Sequence, residues 1–317
     1  MSNSQLTIKV ASIKQVAPTI KEFVLTAIND EVLLPFSPGS HVVVTMQDGV
    51  IKRRNPYSLL GDPLDTQQYK IAVRLQDQSR GGSVFMHDSV HEGDELSISA
   101  PSNLFAPYWR AKKHVLFAGG VGITPFMSFL PDMLRRGEEV ELHYMFHSTK
   151  TGAYLEELTA LLGDKLICYD SDQAERCNVG QVISTQPLGT HLYVCGPEAL
   201  LAGIQESADK QGWPASAIHF EAFTAPAAGK AFVVELKRSK RNIEVKADTT
   251  MLEALEAANV DIQSSCRSGV CGRCFTTVLD GTIEHRDDFL STLEKSQQNC
   301  VMPCVSRSAN GTLVLDL

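Results

Sequence analysis

CRSGVCGRC (266–274) puts Cys266, Cys271 and Cys274 in one continuous loop, spaced C-x4-C-x2-C, with Gly269 and Gly272 threaded between them. Thiols at this spacing read as ligands of a metal centre that still lacks a fourth sulfur. Cys300 and Cys304, both in QNCVMPCVSR, are near enough to supply it, and the residues alone leave that choice open. Cys168, Cys177 and Cys195 belong to a differently patterned stretch upstream and are poor candidates. The glycines answer a steric need. A loop wrapped round a metal centre takes backbone angles that side chains disfavour, and its amides must approach sulfur with no Cβ in the way.

Structural zinc is also satisfied by four cysteines, but such sites more often use two separated, short-spaced pairs. Three ligands in one loop with a distant fourth is the plant-type pattern for a [2Fe–2S] cluster. The surrounding segment, 231–317, reads as a compact module. Strand runs AFVVEL and NIEV precede a helix opened by Thr250-Met-Leu-Glu253, a capping box, and FTTVLDGTI and TLVLDL follow the loop. TAPAAGK (224–230), small and Pro- and Gly-containing, marks a linker, assigned to 225–230.

Upstream, 109–224 alternates strand runs (HVLFA, VELHYMFH, LICYD, HLYVC) with helical spacing, which predicts a parallel sheet with helices on its faces. In FAGGVGITP (117–125), Gly119, Gly120 and Gly122 permit a tight strand-to-helix turn near Ile123 and Thr124. Bare amides there can meet a pyrophosphate, and Pro125 suits a first helical turn. This is not the GxGxxG fingerprint. Cys195-Gly196-Pro197 ends a later strand at the same expected edge, where open α/β sheets bind ligands. Asp170 and Asp172, past LICY, are placed to accept from a ribose 2′-hydroxyl and to repel a 2′-phosphate, which favours NADH over NADPH.

Residues 1–108 are short β-branched and apolar runs separated by SPGS, QDG, GDP and EGD, the pattern of an antiparallel barrel. Within it, Tyr57-Ser58 can stack on and hydrogen-bond a planar cofactor. Arg80-Gly81-Gly82-Ser83 offers a guanidinium, open amides and a hydroxyl to an anion. The whole chain of 317 residues has 43% hydrophobic and 21% charged residues and a formal charge of −8. That composition describes a globular protein and argues against nucleic-acid binding. No apolar run approaches a membrane span, MSNSQLTIKV has no secretory pattern, and eight cysteines in such a chain predict reduced thiols and a cytoplasmic protein.

PYSLL, AVRL…SRGGS, AGGVGITP, VCGP, HFEAF and C-x4-C-x2-C together resemble the phthalate dioxygenase reductase family over the whole chain. The run from HVVV to RLQDQSRGGS and the ending SRSANGTLVLDL look like its carnitine (quaternary-amine) monooxygenase branch. The resemblance implies a multidomain fold: an FMN-binding barrel, a parallel-sheet NAD domain and an α+β, β-grasp ferredoxin. It implies electron transfer from NADH through FMN and [2Fe–2S] to a separate Rieske-type non-haem iron oxygenase, with a P450 or a free ferredoxin as the alternative acceptor and FAD as the alternative flavin. By resemblance Tyr57 and Ser58 contact the flavin ring, Ala72, Val73 and Arg74 line it, and Arg80, Gly81, Gly82 and Ser83 hold its phosphate. Gly119 to Pro125 and Cys195 to Pro197 bind NADH, Phe223 covers the flavin, and Cys304, ahead of Ser-Arg, is the fourth iron ligand. Asn55 stands where the family has arginine, so Arg53 or Arg54 would supply the missing charge, and His147 stands where the family often has another arginine. The carboxylates of IEHRDDF (Glu284, Asp287, Asp288) read as a solvated turn that can assist docking.

Overall fold

The computed structural model describes residues 5–29, 31–49, 51–77, 79–148, 150–223 and 227–317. Residues 224–226, which hold the end of the predicted NAD segment and the start of the predicted linker, lie outside them. Two compact units emerge, Met1–Met46 with Tyr57–Phe223, and Gln47–Pro56 with Thr224–Leu317.

The chain begins with antiparallel strands β1 (Gln5–Ala17), β2 (Ile20–Ala27), β3 (Ser40–Asp48), β4 (Ile51–Ser58) and β5 (Gln68–Arg74). Helix α1 (Gly82–Asp88) and strands β6 (Glu95–Ser99) and β7 (Ser102–Asn103) complete the set, in the order β4-β3-β6-β1-β2-β5 with β7 beside β3. The order runs from β4 at one edge to β5 at the other, and two residues just past β4 bring the edges together. The Leu59 amide donates to Ser40 on β3, and the Leu60 amide donates to Lys70 on β5. This stitch makes the sheet barrel-like, and Ile8, Val10, Phe23, Val42, Val44 and Ile71 fill it. Each such fully buried side chain contributes about 2 kcal/mol by leaving water.

The chain then lays down β8 (Lys113–Gly119), α2 (Phe126–Arg136), β9 (Val140–Phe146), α3 (Leu155–Leu162), β10 (Leu166–Asp170), α4 (Val179–Ser184), β11 (Thr190–Gly196), α5 (Glu198–Lys210) and β12 (Ile218–Ala222). All pairings are parallel, in the order β10-β9-β8-β11-β12. The near-continuous burial of β8 follows from helices covering both faces.

The second unit has β13 (Phe232–Leu236), β14 (Arg241–Val245), α6 (Met251–Ala257), β15 (Thr276–Asp280), β16 (Ile283–Glu284), α7 (Thr292–Gln297), β17 (Cys300–Val301), β18 (Arg307–Ser308) and β19 (Thr312–Leu315). The main sheet is mixed, β14-β13-β19-β15-β17. Alternate residues of β13 and β19 face a core shared with Leu252 and Leu255 of α6. Thr250 caps α6 through a full capping box with Glu253. Residues 227–230 do not hang loose: Arg286 donates to the carbonyls of Ala227 and Ala228, and Arg307 donates to those of Lys230, Lys246 and Thr249. Among the described residues no helix is long and apolar enough to cross a membrane.

Candidate functional site

Four thiols meet in the second unit. Cys266, Cys274 and Cys304 are buried and Cys271 is partly exposed. They form two pairs: the Cys266 and Cys271 thiols hydrogen-bond each other, and the Cys274 and Cys304 sulfurs lie 3.4 Å apart. Among the described residues no three metal-binding side chains converge on a single point. Two sulfur pairs would supply a two-iron cluster with four thiolates, two for each iron. Backbone amides add to the donor set, with Ser268 N 3.4 Å from Cys266 Sγ and Arg273 N 3.5 Å from Cys271 Sγ. The Cys271 contact and the Ser268 donors lower the Cys266 thiol, while the same contact raises Cys271, so the two thiols share one proton. The fit to a [2Fe–2S] group is good.

Cys300 is placed differently. It sits in β17 opposite Thr277, and no cysteine is among the groups that act on it. Burial, then Glu294 and Asp287, push its thiol up. The glycines match their steric role: Gly269 (φ 81°) and Gly272 (φ 69°) are left-handed. A Cβ on Gly272 would lie 2.3 Å from the Phe289 ring, and one on Gly269 2.7 Å from Val305.

The nucleotide edge is built by close approach of two turns. Gly120 is left-handed, and a 3-10 turn over Gly120–Ile123 runs into α2 at Phe126, two residues later than the sequence suggests. A Cβ on Gly122 would sit 2.2 Å from the Cys195 carbonyl oxygen, and one on Gly119 2.6 Å from Pro197. The Gly119–Pro125 and Cys195–Pro197 turns therefore abut at the C-terminal strand ends. At the same sheet edge Asp170 accepts from the amides of Ser148 and Asp172, and Asp172 lies 3.2 Å from His147.

In the barrel, Ser58 is buried beside Glu221 of β12, its hydroxyl 3.4 Å from the carboxylate. Glu221, inside the quoted HFEAF, went unassigned from sequence. Burial raises its pKa to about 8, against a lowering by Ser58, so it holds a proton near neutral pH. Its strand partner Cys195 is fully buried, and that burial keeps the thiol protonated. Tyr57 is half-buried and Phe223, just past β12, is 40% exposed.

Ala72 and Val73 turn their side chains into the core and leave only backbone for a ligand. Arg74 has a buried Nε with no hydrogen-bond partner, a donor that a bound cofactor's acceptor atom would satisfy. Arg80 is exposed, Gly81 is left-handed (φ 97°), Gly82 opens α1, and Ser83 bonds to Ser79 and Gln76. Arg54, expected near the flavin phosphate, ion-pairs with Glu256 at 2.8 Å, while Asn55 follows it on β4.

IEHRDDF is not a wholly solvated turn. Asp287 is 2% exposed, accepts from the Leu290 amide and from Ser306, and is unavailable for docking. Glu284 pairs with Arg286 at 2.7 Å, and Asp288 is exposed.

Residues 234–309 match the 2Fe-2S iron-sulfur cluster binding domain, and residues 100–218 match the N-terminal domain of dimethylamine monooxygenase subunit DmmA-like proteins. The chain is 47% identical to the heme-dependent oxidative N-demethylase beta subunit of Ectopseudomonas mendocina, covering 98% of this chain and 99% of that one. It is 41% identical to the carnitine monooxygenase reductase subunit of Acinetobacter baumannii, covering 97% and 96%. Among solved structures, phthalate dioxygenase reductase, titled as a modular structure for electron transfer from pyridine nucleotides to [2Fe-2S], superposes with TM-score 0.86 at 34% identity over 99% of this chain and 98% of that one. With barrel, parallel sheet and cysteine module in the same order and at full length, the chain belongs to the phthalate dioxygenase reductase family of flavin and iron–sulfur oxidoreductases.

Proposed function

We propose that this chain is the NADH-dependent reductase component of a two-component oxygenase, and that it uses FMN and a [2Fe–2S] cluster held by Cys266, Cys271, Cys274 and Cys304. The observation that carries the reading is the pair of sulfur pairs in one unit, together with an abutting-turn nucleotide edge in the other. NADH gives two electrons together and an iron–sulfur acceptor takes one, so a flavin bound by the barrel supplies the conversion between them.

The chain's own residues bind and orient. The open backbone at Gly119, Gly120 and Gly122, with Ile123, Thr124 and Pro125, admits a pyrophosphate, and Asp170 and Asp172 accept from ribose hydroxyls. The Cys195–Gly196–Pro197 turn positions the nicotinamide ring. Ser58 and Glu221 hold a proton at the buried end of β4, and Tyr57 and Phe223 supply ring faces. Arg74 and Arg80 to Ser83 supply donors for the flavin ring and phosphate. We place the chain in the cytoplasm, where eight cysteines in a chain of this size and composition stay out of disulfides.

For the acceptor we propose a Rieske-type non-haem iron oxygenase of the carnitine class, on the strength of the carnitine monooxygenase relatives. The 47% relative favours a second reading, a haem-containing N-demethylating oxygenase. Purified chain mixed with one oxygenase of each class, with NADH consumption and demethylated product measured together, separates them. Coupled turnover with the Rieske partner and none with the haem partner supports the first reading, and the reverse result supports the second.

A further inference from the structure

Arg267, inside the cysteine loop, is a side chain for which the electron path as described has no use. It is left-handed (φ 56°), its side chain is only 8% exposed, and its charge acts on Cys304. Both of its terminal nitrogens donate to Glu256 on α6, at 2.8 Å each, and one also lies 3.4 Å from Ser264 Oγ. The same Glu256 accepts from Arg54 at 2.8 Å. One carboxylate, 14% exposed, is thus shared by two guanidiniums. Burial by itself would raise the Glu256 pKa, and the two arginines outweigh it, so the group is ionised. Glu253, the next carboxylate toward Arg267, is already bound to the Thr250 cap.

We propose that Glu256 is a positioning residue for electron transfer: clamped by Arg267 and Arg54, it fixes the charge beside the cysteine loop and so sets the reduction potential of the [2Fe–2S] cluster. The proposal rests on the cluster assignment above. Two guanidiniums and one carboxylate leave one positive charge, partly desolvated, next to the loop. Reduction adds one negative charge to the cluster site, so every uncompensated cation nearby raises the potential, and every anion lowers it. A bidentate carboxylate also locks the Arg267 backbone, hence the loop, in its left-handed turn.

The test uses the full chain with its cofactors in a redox titration, following the cluster by EPR and the flavin by absorbance. Glu256→Gln keeps the shape and removes the charge. It should retain the cluster signal and raise the cluster potential about tenfold in the electron-sharing equilibrium, ~59 mV for a one-electron couple, with the flavin potential unmoved. Arg54→Gln removes one cation and should move the cluster potential the opposite way. Full cluster content in Glu256→Gln with an unshifted potential would overturn the proposal. If that variant loses its cluster, Arg54→Gln decides: a lowered cluster potential supports the proposal and an unchanged one overturns it. A wild-type chain with no [2Fe–2S] signal defeats the cluster assignment itself, and shows before any variant is made.

Discussion

Burial pushes the Glu221 carboxyl well above its usual range, and the direction gives a testable pH dependence. Its carboxyl is protonated in the folded protein up to about pH 8 but ionises near pH 4.5 when unfolded. The folded state therefore binds the extra proton between those values, and stability falls as pH rises through them. Glu221→Gln should abolish that loss. In thermal melts from pH 5 to pH 8, the variant should gain on wild type as pH rises, on the order of a few kcal/mol by pH 8. Parallel melting curves for the two proteins would contradict a buried, neutral carboxyl. At the cysteines, Cys304→Ala should eliminate the cluster spectrum while NADH still bleaches the flavin, and Cys300→Ala should leave both intact. The opposite pattern would exchange the two assignments.

Single elements were legible in proportion to how local their signals are. The capping box at Thr250 and Glu253 and the left-handed glycines of the cysteine loop are statements a few residues long, and each appears where the sequence puts it. Thr250→Ala should cost about 1 kcal/mol in a denaturant melt and leave the cluster spectrum unchanged. The turn at Gly122 was legible as a tight turn, but its reason was not. The Cβ it excludes would strike a carbonyl of Cys195, a residue on another strand, and only the folded sheet reveals that. Gly122→Ala must push two backbones apart, so it should weaken NADH binding at least tenfold, read from the flavin–nicotinamide charge-transfer absorbance. The Ser58–Glu221 contact spans 163 residues and the Arg54–Glu256 contact 202, and no window on the sequence joins them. Asp287 failed for the same reason. Its acidic neighbours suggest a wet turn, whereas its partners, Leu290 and Ser306, bury it.

Across the whole molecule, the order of barrel, parallel sheet and cysteine module was readable because each carries a different hydrophobic rhythm. The barrel's closure at Leu59 and Leu60 was not, since two amides decide it. In the function proposed above, electrons enter from NADH at the glycine-turn edge and leave through the four thiols. Anaerobic addition of NADH to the purified chain, with flavin absorbance and the EPR spectrum of the cluster recorded on the same sample, tests it most directly. The expected result is bleaching of the flavin followed by the signal of a reduced [2Fe–2S] cluster, and bleaching alone in Cys304→Ala. Flavin bleaching in wild type with an EPR-silent cluster, or a sample that contains zinc in place of iron, would contradict it.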